Sequence, residues 1–154
     1  MTWVVVEGII KFPPHEVFEL LADYPRLGHS SPSVDTIEYI SEKKRGVGTM
    51  THWKAGVSVE TEGGAVIEWN EEVTDFVEDE LVGFKVISGE FPSVGFLRLY
   101  PRDEGKSTFI IFAEHHQYAG ANKEKVEFTM RDQIKFMELE LAGKLKDRSH
   151  KRTG

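Results

Sequence analysis

The stretch IIKFPPHEVFELLADYPRLGHSSPSV, residues 9–34, joins an apolar segment to two prolines, a short amphipathic segment, a third proline and a Gly/Ser loop. Pro13 and Pro14 end a strand, because proline has no backbone N–H to donate to a neighbouring strand. Proline nevertheless suits the first turn of a helix, where that N–H would have no partner. The stretch therefore predicts a strand, a helix that begins at the prolines and a second break near Pro25.

Side-chain alternation defines the two faces of the first strand, predicted over residues 3–12. Its apolar face comprises Val4, Val6, Gly8, Ile10 and Phe12. Glu7 and Lys11 lie on the opposite face, so the strand is predicted to have a buried side and a solvated side. The helix that follows is expected to end at Tyr24, because the residue before a proline disfavours helical backbone. A second, shorter turn is expected around residues 26–28.

From residue 34 to residue 118 the sequence has the pattern of a series of short strands. Runs rich in Val, Ile, Phe, Tyr and Thr alternate with turn compositions such as KKRGVG and RDEGK. The predicted strands are residues 34–43, 48–58, 65–77, 81–88, 94–102 and 107–118. Sequential strands with short connections pair antiparallel, which together with the first strand predicts a seven-stranded antiparallel sheet.

A long C-terminal helix is predicted after residue 122, where apolar residues recur every three or four positions. Asn122 is the expected N-cap, and the helix is expected to run for about 25 residues, or roughly 40 Å. Its apolar stripe consists of Val126, Met130, Ile134, Met137, Leu141 and Leu145. The predicted fold class is α+β: a curved sheet wraps around this helix, and the two short helices close one end.

Length, composition and the N-terminal residues limit the class of protein. The 154 residues fit one domain, predicted to span residues 1–154 with a basic, frayed tail from about residue 146. The absence of cysteine excludes disulfides and thiolate metal sites. The first residues, MTWVVVEG, lack the basic region of a signal peptide and reach an acid too early for a membrane span. A cytoplasmic protein without integral membrane association is therefore expected.

The net charge of −7 is unevenly distributed. Residues 60–80 contain nine acids and no Lys or Arg, whereas the last eleven residues contain five Lys or Arg. The acidic surface repels phosphate backbones, so no nucleic-acid partner is expected. The segment NEEVTDFVEDE, residues 70–80, is predicted to be a solvated strand and turn. No H-x-H or H-x-x-x-H pair occurs, so neither a metal site nor a cofactor is predicted.

Three motifs carry a resemblance to a known family: IIKFPPHEVFELLADYPRL, RGVGTMTHW and VIEWNEEVTDF. With the element order, they resemble the START-like helix-grip (SRPBCC) superfamily, and within it the polyketide cyclase/dehydrase and lipid-transport group. The matching features are mainly the strand-to-helix prolines, the turn at Gly46 and Gly48, and the strand around Trp69. The resemblance implies a deep, largely apolar cavity between the sheet and the long helix, which holds lipids, polyketides or sterols. It does not imply catalysis.

Several residues are candidates to line such a cavity. The long helix offers Met130, Ile134 and Met137, and methionine adapts to ligands of varied shape. The strands offer Val6, Ile10, Met50, Val73 and Phe96. Trp53 and Trp69 could stack on an aromatic ligand. The alternative for all of these residues is that they simply fill a core.

A polar contact for the ligand is predicted near the end of the last strand. His115 and His116 are adjacent and point to opposite faces, so they cannot bind one metal ion together. His115 is preferred as the inward residue because Ala113 leaves space beside it, and Tyr118 is a second candidate. Phe91, in the loop SGEFPSVG, is predicted to be a lid over the cavity mouth.

Three functions are compatible with these features. The first is binding or transport of a small hydrophobic molecule, such as a lipid, a polyketide or another aromatic compound. The second is a cyclase or dehydratase reaction with a histidine or tyrosine as acid or base. The third is a protein-binding module of the chaperone-regulator kind, which would have a collapsed cavity and an exposed apolar patch. The oligomeric state stays open.

Overall fold

The computed structural model describes residues 2–56, 66–89, 92–116 and 119–145. Its elements follow the predicted order of one strand, two short helices, six strands and a long helix. They are β1 Thr2–Ile10, α1 Pro14–Ala22, α2 Tyr24–Ser30, β2 Val34–Tyr39, β3 Met50–Gly56, β4 Val66–Val77, β5 Leu81–Ser88, β6 Ser93–Arg102, β7 Ser107–His116 and α3 Ala119–Leu141. The predicted lid residue Phe91, the candidate Tyr118 and the basic tail lie outside the described residues.

The seven strands form one antiparallel sheet in the order β1-β7-β6-β5-β4-β3-β2. Consecutive strands pair with each other from β2 through β7, and β1 pairs with β7. The predicted antiparallel sheet is therefore confirmed, with β1 and β2 as its two edges. We call the side that faces α3 the inner face of the sheet and the opposite side the outer face.

The break between α1 and α2 lies two residues earlier than predicted. α1 ends at Ala22, and Tyr24 begins α2 instead of ending α1. The cause is Asp23, whose side chain accepts a hydrogen bond from Arg26 N at 3.2 Å. This carboxylate is an N-cap for α2, and Pro25 occupies the first turn, where its missing N–H has no cost.

The ends of α3 also differ from the prediction. The helix begins at Ala119, so the predicted N-cap at Asn122 is wrong. Alanine has the highest helix propensity, so Ala119 and Ala121 favour extending the helix past the polar residue. The helix ends at Leu141, which leaves Leu145 outside it. Gly143 follows with a φ of 67°, a left-handed conformation that glycine commonly supplies after a helix.

The buried apolar residues form two clusters on the inner face. The larger cluster joins α1 and α3 to β1, β5, β6 and β7 and includes Phe18, Ile110 and Met130. The smaller one surrounds Trp53 and also contains Tyr24, Val34, Ile37 and Val73. The predicted inner face of β1 is confirmed, since Val4, Val6 and Ile10 are all fully buried. No helix in the described part of the chain is both long enough and apolar enough to cross a membrane.

Candidate functional site

A cavity of about 100 Å³ lies between the two apolar clusters, under α2 and α3. Its aromatic walls are Tyr24, Trp53, Trp69, Phe84 and Phe112. Its aliphatic walls are Leu21, Leu27, Val82, Leu97 and Met137. Both short helices, five strands and the long helix contribute, so the cavity exists only when the sheet has curved around α3.

Two carboxyl side chains line this apolar cavity, Glu71 on β4 and Glu114 on β7. Glu71 lies opposite Thr51, which is buried, and shares the inner face with Trp69 and Val73. Glu114 lies between Val4 on β1 and Gly95 on β6. The segment predicted to be solvated therefore places one of its glutamates inside the protein.

Gly95 is required by the close packing beside Glu114. A Cβ atom on this residue would lie 2.6 Å from Phe84 Cζ and 2.5 Å from the Ala113 carbonyl oxygen, so any larger residue would displace the aromatic ring or the strand. The missing side chain lets the Phe84 ring reach across β6 towards the cavity. The local backbone of the sheet thus shapes the aromatic wall.

Glu71 has a perturbed environment with a clear physical cause. The pKa of Glu71 is raised to about 8, chiefly by burial and to a smaller extent by the nearby Glu114. A hydrogen bond from Trp69 Nε1 to Glu71 Oε2, 2.7 Å long, acts in the opposite direction because it stabilises the carboxylate. At neutral pH the protonated form of Glu71 therefore predominates, and the side chain is a hydrogen-bond donor.

The aromatic wall is held in place by specific contacts. Trp53 and Trp69 are directly opposite on β3 and β4, and their rings stack at a centroid distance of 5.6 Å. Trp53 Nε1 donates to Thr51 Oγ1 at 2.9 Å, and Tyr24 packs edge-on against Trp53. Burial raises the pKa of Tyr24, and the charge that Glu71 carries once it is ionised raises it further. The phenol of Tyr24 therefore stays neutral. This corner of the cavity has a fixed shape.

Two serines at the end of α2 add polar atoms to the cavity wall. Ser30 Oγ donates to the Leu27 carbonyl oxygen at 2.8 Å. Ser31 is only 6% exposed, and its Oγ has no hydrogen-bond partner among the described residues. A buried hydroxyl without a partner is costly, and a ligand could supply the missing hydrogen bond.

Three of the predicted ligand-binding residues line the cavity: Trp53, Trp69 and Met137. Met130, Ile134 and Met137 all belong to the larger core cluster, and of the three only Met137 also lines the cavity. Ile134 also packs closely on β1: a Cβ atom added to Gly8 would lie 3.0 Å from the Cγ2 atom of Ile134. The helical stripe therefore supplies core residues along most of its length and a cavity residue only near its C-terminal end.

Two of the strand candidates have the opposite orientation from the predicted one. Met50 lies on the outer face, opposite Glu72, because it is three residues from the inward Trp53 and an unbroken strand alternates every residue. Phe96 is also on the outer face, where its ring lies 6.2 Å from that of Trp3. A shift of one residue in the assumed register causes each error.

The predicted inward orientation of His115 is wrong for the same reason. Its ring stacks on Trp3 at 4.8 Å, on the outer face of the sheet. Ala113, which was expected to leave space inside, instead lies between Val5 and Phe96 on the outer face. The structure describes His116 only by its backbone.

The sequence interpretation missed Glu71, Glu114, Tyr24 and Ser31. A signal for the two glutamates was nevertheless present, since residues two apart on a strand share a face. If Trp69 is on the inner face of β4, Glu71 must be on that face as well. In the same way, Glu114 shares the inner face of β7 with Phe112. Among the described residues, no group of three or more His, Asp or Glu side chains is placed to hold a metal ion.

Comparison with solved structures shows the same fold in distant proteins. TTHA0849 from Thermus thermophilus superimposes with a TM-score of 0.75 at 19% identity and covers 94% of this chain and 100% of its own. The major latex-like protein 151 from Panax ginseng has a TM-score of 0.69 at 16% identity, covering 94% and 98%. The ZhuI aromatase/cyclase from Streptomyces sp. R1128 has a TM-score of 0.67 at 14% identity, covering 93% of both chains.

At the level of sequence, no curated protein matches this chain significantly. The polyketide cyclase/dehydrase and lipid transport family matches residues 1–146, which is nearly the whole chain. The chain therefore belongs to the polyketide cyclase/dehydrase and lipid transport family.

Proposed function

We propose that this protein binds a small hydrophobic molecule in the cavity between the sheet and α3. The main support is the largely apolar space itself, whose walls include five aromatic and five aliphatic side chains. Well-packed cores contain few voids larger than a water molecule. Family membership adds support, since the family description names both cyclisation and lipid transport.

The size of the cavity limits its ligand. A volume of about 100 Å³ is below the several hundred that are typical of sites for drug-sized molecules. The space suits one ring or a short chain, and a larger ligand requires side chains to move. Met137 is the wall residue best able to do so, because its three rotatable bonds allow it to repack.

Uptake of a neutral fluorescent probe tests this function. N-phenyl-1-naphthylamine, which is uncharged at neutral pH, should bind the folded protein and increase in fluorescence. Met137→Trp should weaken this binding by roughly tenfold or more, because the larger side chain fills the cavity. Phe128→Trp, on an exposed position of the same helix, is the matched control and should leave binding unchanged. Failure of the folded wild-type protein to take up both this probe and a single-ring compound such as toluene, followed by NMR chemical-shift changes, would contradict the proposal.

A second candidate function is a dehydration or cyclisation reaction in the same cavity. The specific observation is that Glu71 is protonated near neutral pH and faces an apolar space, as a general acid requires. In a β-hydroxyketone, Glu114 would take the α-proton, the carbon–oxygen bond would break, and the Glu71 proton would leave with the hydroxyl as water. The structural likeness to an aromatase/cyclase is compatible with this chemistry.

Mass spectrometry of a β-hydroxyketone incubated with the protein separates this second function from simple binding. Loss of one water from the substrate, abolished in Glu71→Gln, would support an enzyme. Binding of the same compound without loss of water would leave the carrier function and remove the enzymatic one.

A further inference from the structure

The ionisable side chains that line the cavity are all acidic. Two of the described lining residues are glutamates, and none is Lys, Arg or His. A carboxyl group in an apolar environment, such as that of Glu71, is stabilised by a proton or a cation, because an isolated charge loses its solvation. In the free protein, the proton on Glu71 fills this role. A ligand that carries its own positive charge could replace that proton.

The aromatic wall beside the carboxyl groups favours the same ligand. Trp53, Trp69 and Tyr24 line the space that Glu71 borders. The faces of aromatic rings attract ammonium groups, and indole is the most effective of them. Protein sites for organic cations combine these two elements, carboxylates and aromatic rings.

Ser31 provides an independent indication that a polar ligand atom belongs in the cavity. Its hydroxyl oxygen is buried, lines the cavity and has no hydrogen-bond partner among the described residues. A purely apolar ligand would leave this oxygen unsatisfied. A ligand N–H or O–H directed at this oxygen would satisfy it.

We propose that the ligand is a hydrophobic amine, with a protonated amino group directed at Glu71 and Glu114 and an apolar body against Trp53, Phe84 and Met137. This inference rests on the proposed function, since it specifies the ligand class for the same cavity. Each ammonium N–H donates to a carboxylate oxygen, and binding releases the proton from Glu71. A ligand carboxylate is disfavoured by repulsion from both glutamates.

Three isosteric compounds test the ligand class: 1-naphthylmethylamine, 1-naphthylmethanol and 1-naphthoic acid. Their affinities are measured by displacement of N-phenyl-1-naphthylamine. The amine should bind roughly tenfold or more tighter than the alcohol, as expected for a hydrogen bond between charged groups, and the acid should bind most weakly. Because the proton and the ammonium compete for Glu71, the preference should increase between about pH 6.5 and about pH 8.5.

Matched variants identify the groups responsible. Glu71→Gln and Glu114→Gln should each reduce the ratio of amine affinity to alcohol affinity to about threefold or less, and this ratio is taken within each variant so that a change in probe affinity cancels. Glu72→Gln changes the adjacent glutamate on the outer face and should keep the full preference. If the probe binds but the amine and the alcohol have equal affinities, the amine inference is wrong and the binding function stands. If neither the probe nor the single-ring compound binds, the proposed function itself fails.

A separate observation concerns the outer face of β1, β7 and β6. Five large apolar side chains there are 40 to 51% exposed, namely Trp3, Val5, Ile9, Val94 and Tyr100. The partly buried Phe96, Phe109 and Ile111 lie between them, as the strand register shows. We call this surface the apolar outer patch. A contiguous patch of this kind is typical of an interaction surface.

The charges within the apolar outer patch are self-complementary. The register places Glu7, Ile111 and Arg98 side by side across β1, β7 and β6. A twofold axis parallel to β7 and over Ile111 would bring Glu7 of one copy opposite Arg98 of a second. The same axis would bring Trp3 opposite Val94 and Ile9 opposite Tyr100. Two sheets can pack face to face in this way, about 10 Å apart.

From this symmetry we infer that the apolar outer patch binds a second copy of the chain and forms a twofold dimer. Sedimentation equilibrium over a range of protein concentrations should reveal a dimer. Glu7→Arg and Arg98→Glu should each weaken it roughly tenfold or more, and the double variant should restore it, because the charge pairs are exchanged and not removed.

Lys54→Glu, a charge reversal on the outer face of β3, lies outside the apolar outer patch and should not affect the dimer. A wild-type protein that stays monomeric at all concentrations would overturn the inference. A double variant that stays dissociated while the single variants dissociate would overturn the proposed axis.

Discussion

Glu71 and Glu72 are consecutive glutamates on β4, and the two faces of the sheet give them different environments. Glu71 borders the cavity, accepts a hydrogen bond from Trp69 and has a pKa raised to about 8. Glu72 points outward and forms an ion pair with Lys85 at 3.5 Å. The difference shows that the face of the sheet, and not the residue type, decides whether a carboxyl group is a structural charge or a candidate functional group.

The largest expected effect is a difference in stability between substitutions on the inner and outer faces of β3. Trp53→Ala should lower the free energy of unfolding by about 3 to 5 kcal/mol, because it removes a buried indole that stacks on Trp69. His52→Ala, the adjacent outward change, removes hydrogen bonds to Asn70 and Glu68 at a partly exposed site and should cost about 1 kcal/mol. Urea denaturation of both variants measures the contrast, and equal losses would mean that the faces are not distinct.

The next effect is the pH dependence of stability caused by Glu71. The pKa of Glu71 is raised in the folded protein. As the pH rises above the ordinary pKa of a glutamate, the unfolded state therefore releases this proton while the folded state keeps it. Stability from this group is therefore lost between about pH 4.5 and about pH 8. The groups around it are the Trp69 N–H on β4, Glu114 on β7 and Tyr24 on α2.

Replacing Glu71 with glutamine should remove this loss. Relative to wild type, Glu71→Gln should gain on the order of 3 kcal/mol between pH 5 and pH 8. The difference between the two proteins is the quantity to measure, because hydrogen bonds to Asp79 and Asn70 raise the pKa of His15 and His52, whose stabilisation also falls with rising pH. Glu72→Gln is the control and should keep the pH dependence of the wild type. If the stability of the wild type and of Glu71→Gln changes in parallel with pH, Glu71 is not in a buried environment.

A smaller effect tests the hydrogen bond that opposes the shift. Trp69→Phe keeps most of the ring but removes the N–H that donates to Glu71, so the pKa of Glu71 should rise by about one unit. NMR titration of the side-chain carboxyl carbon measures this change directly. A pKa that stays the same or falls would show that the Trp69 bond does not stabilise the carboxylate.

The smallest effect belongs to the outer glutamate. Lys85→Ala removes the partner of Glu72 and should destabilise the protein by about 0.2 to 1 kcal/mol, because surface ion pairs are weak. The loss should diminish at high salt, where screening weakens the pair in the wild type as well. If the variant instead loses several kcal/mol of stability at every salt concentration, the Glu72–Lys85 pair is buried and not a surface ion pair.

Much of the fold could be predicted because local rules govern it. The double proline, the period-two runs and the 3.6-residue stripe define the order of elements, and the bounds of most strands agree within about two to four residues. The ends of helices were less accurate, since Asp23 and Ala119 each changed a boundary through local capping or helix propensity. The candidate site was predicted only in part: Trp53, Trp69 and Met137 line the cavity, whereas Met50 and His115 point outward.

By itself the sequence determined the element order, the antiparallel pairing of neighbouring strands and the apolar side of the long helix, because each depends on residues close together in the chain. Only the tertiary structure decided the orientation of Met50, Phe96 and His115 and the meeting of Glu71, Glu114 and Ser31 around one space. These residues lie on β4, on β7 and after α2. The physical reason is that a shift of one residue in register reverses a strand's two faces, and the register is set by packing across the whole sheet.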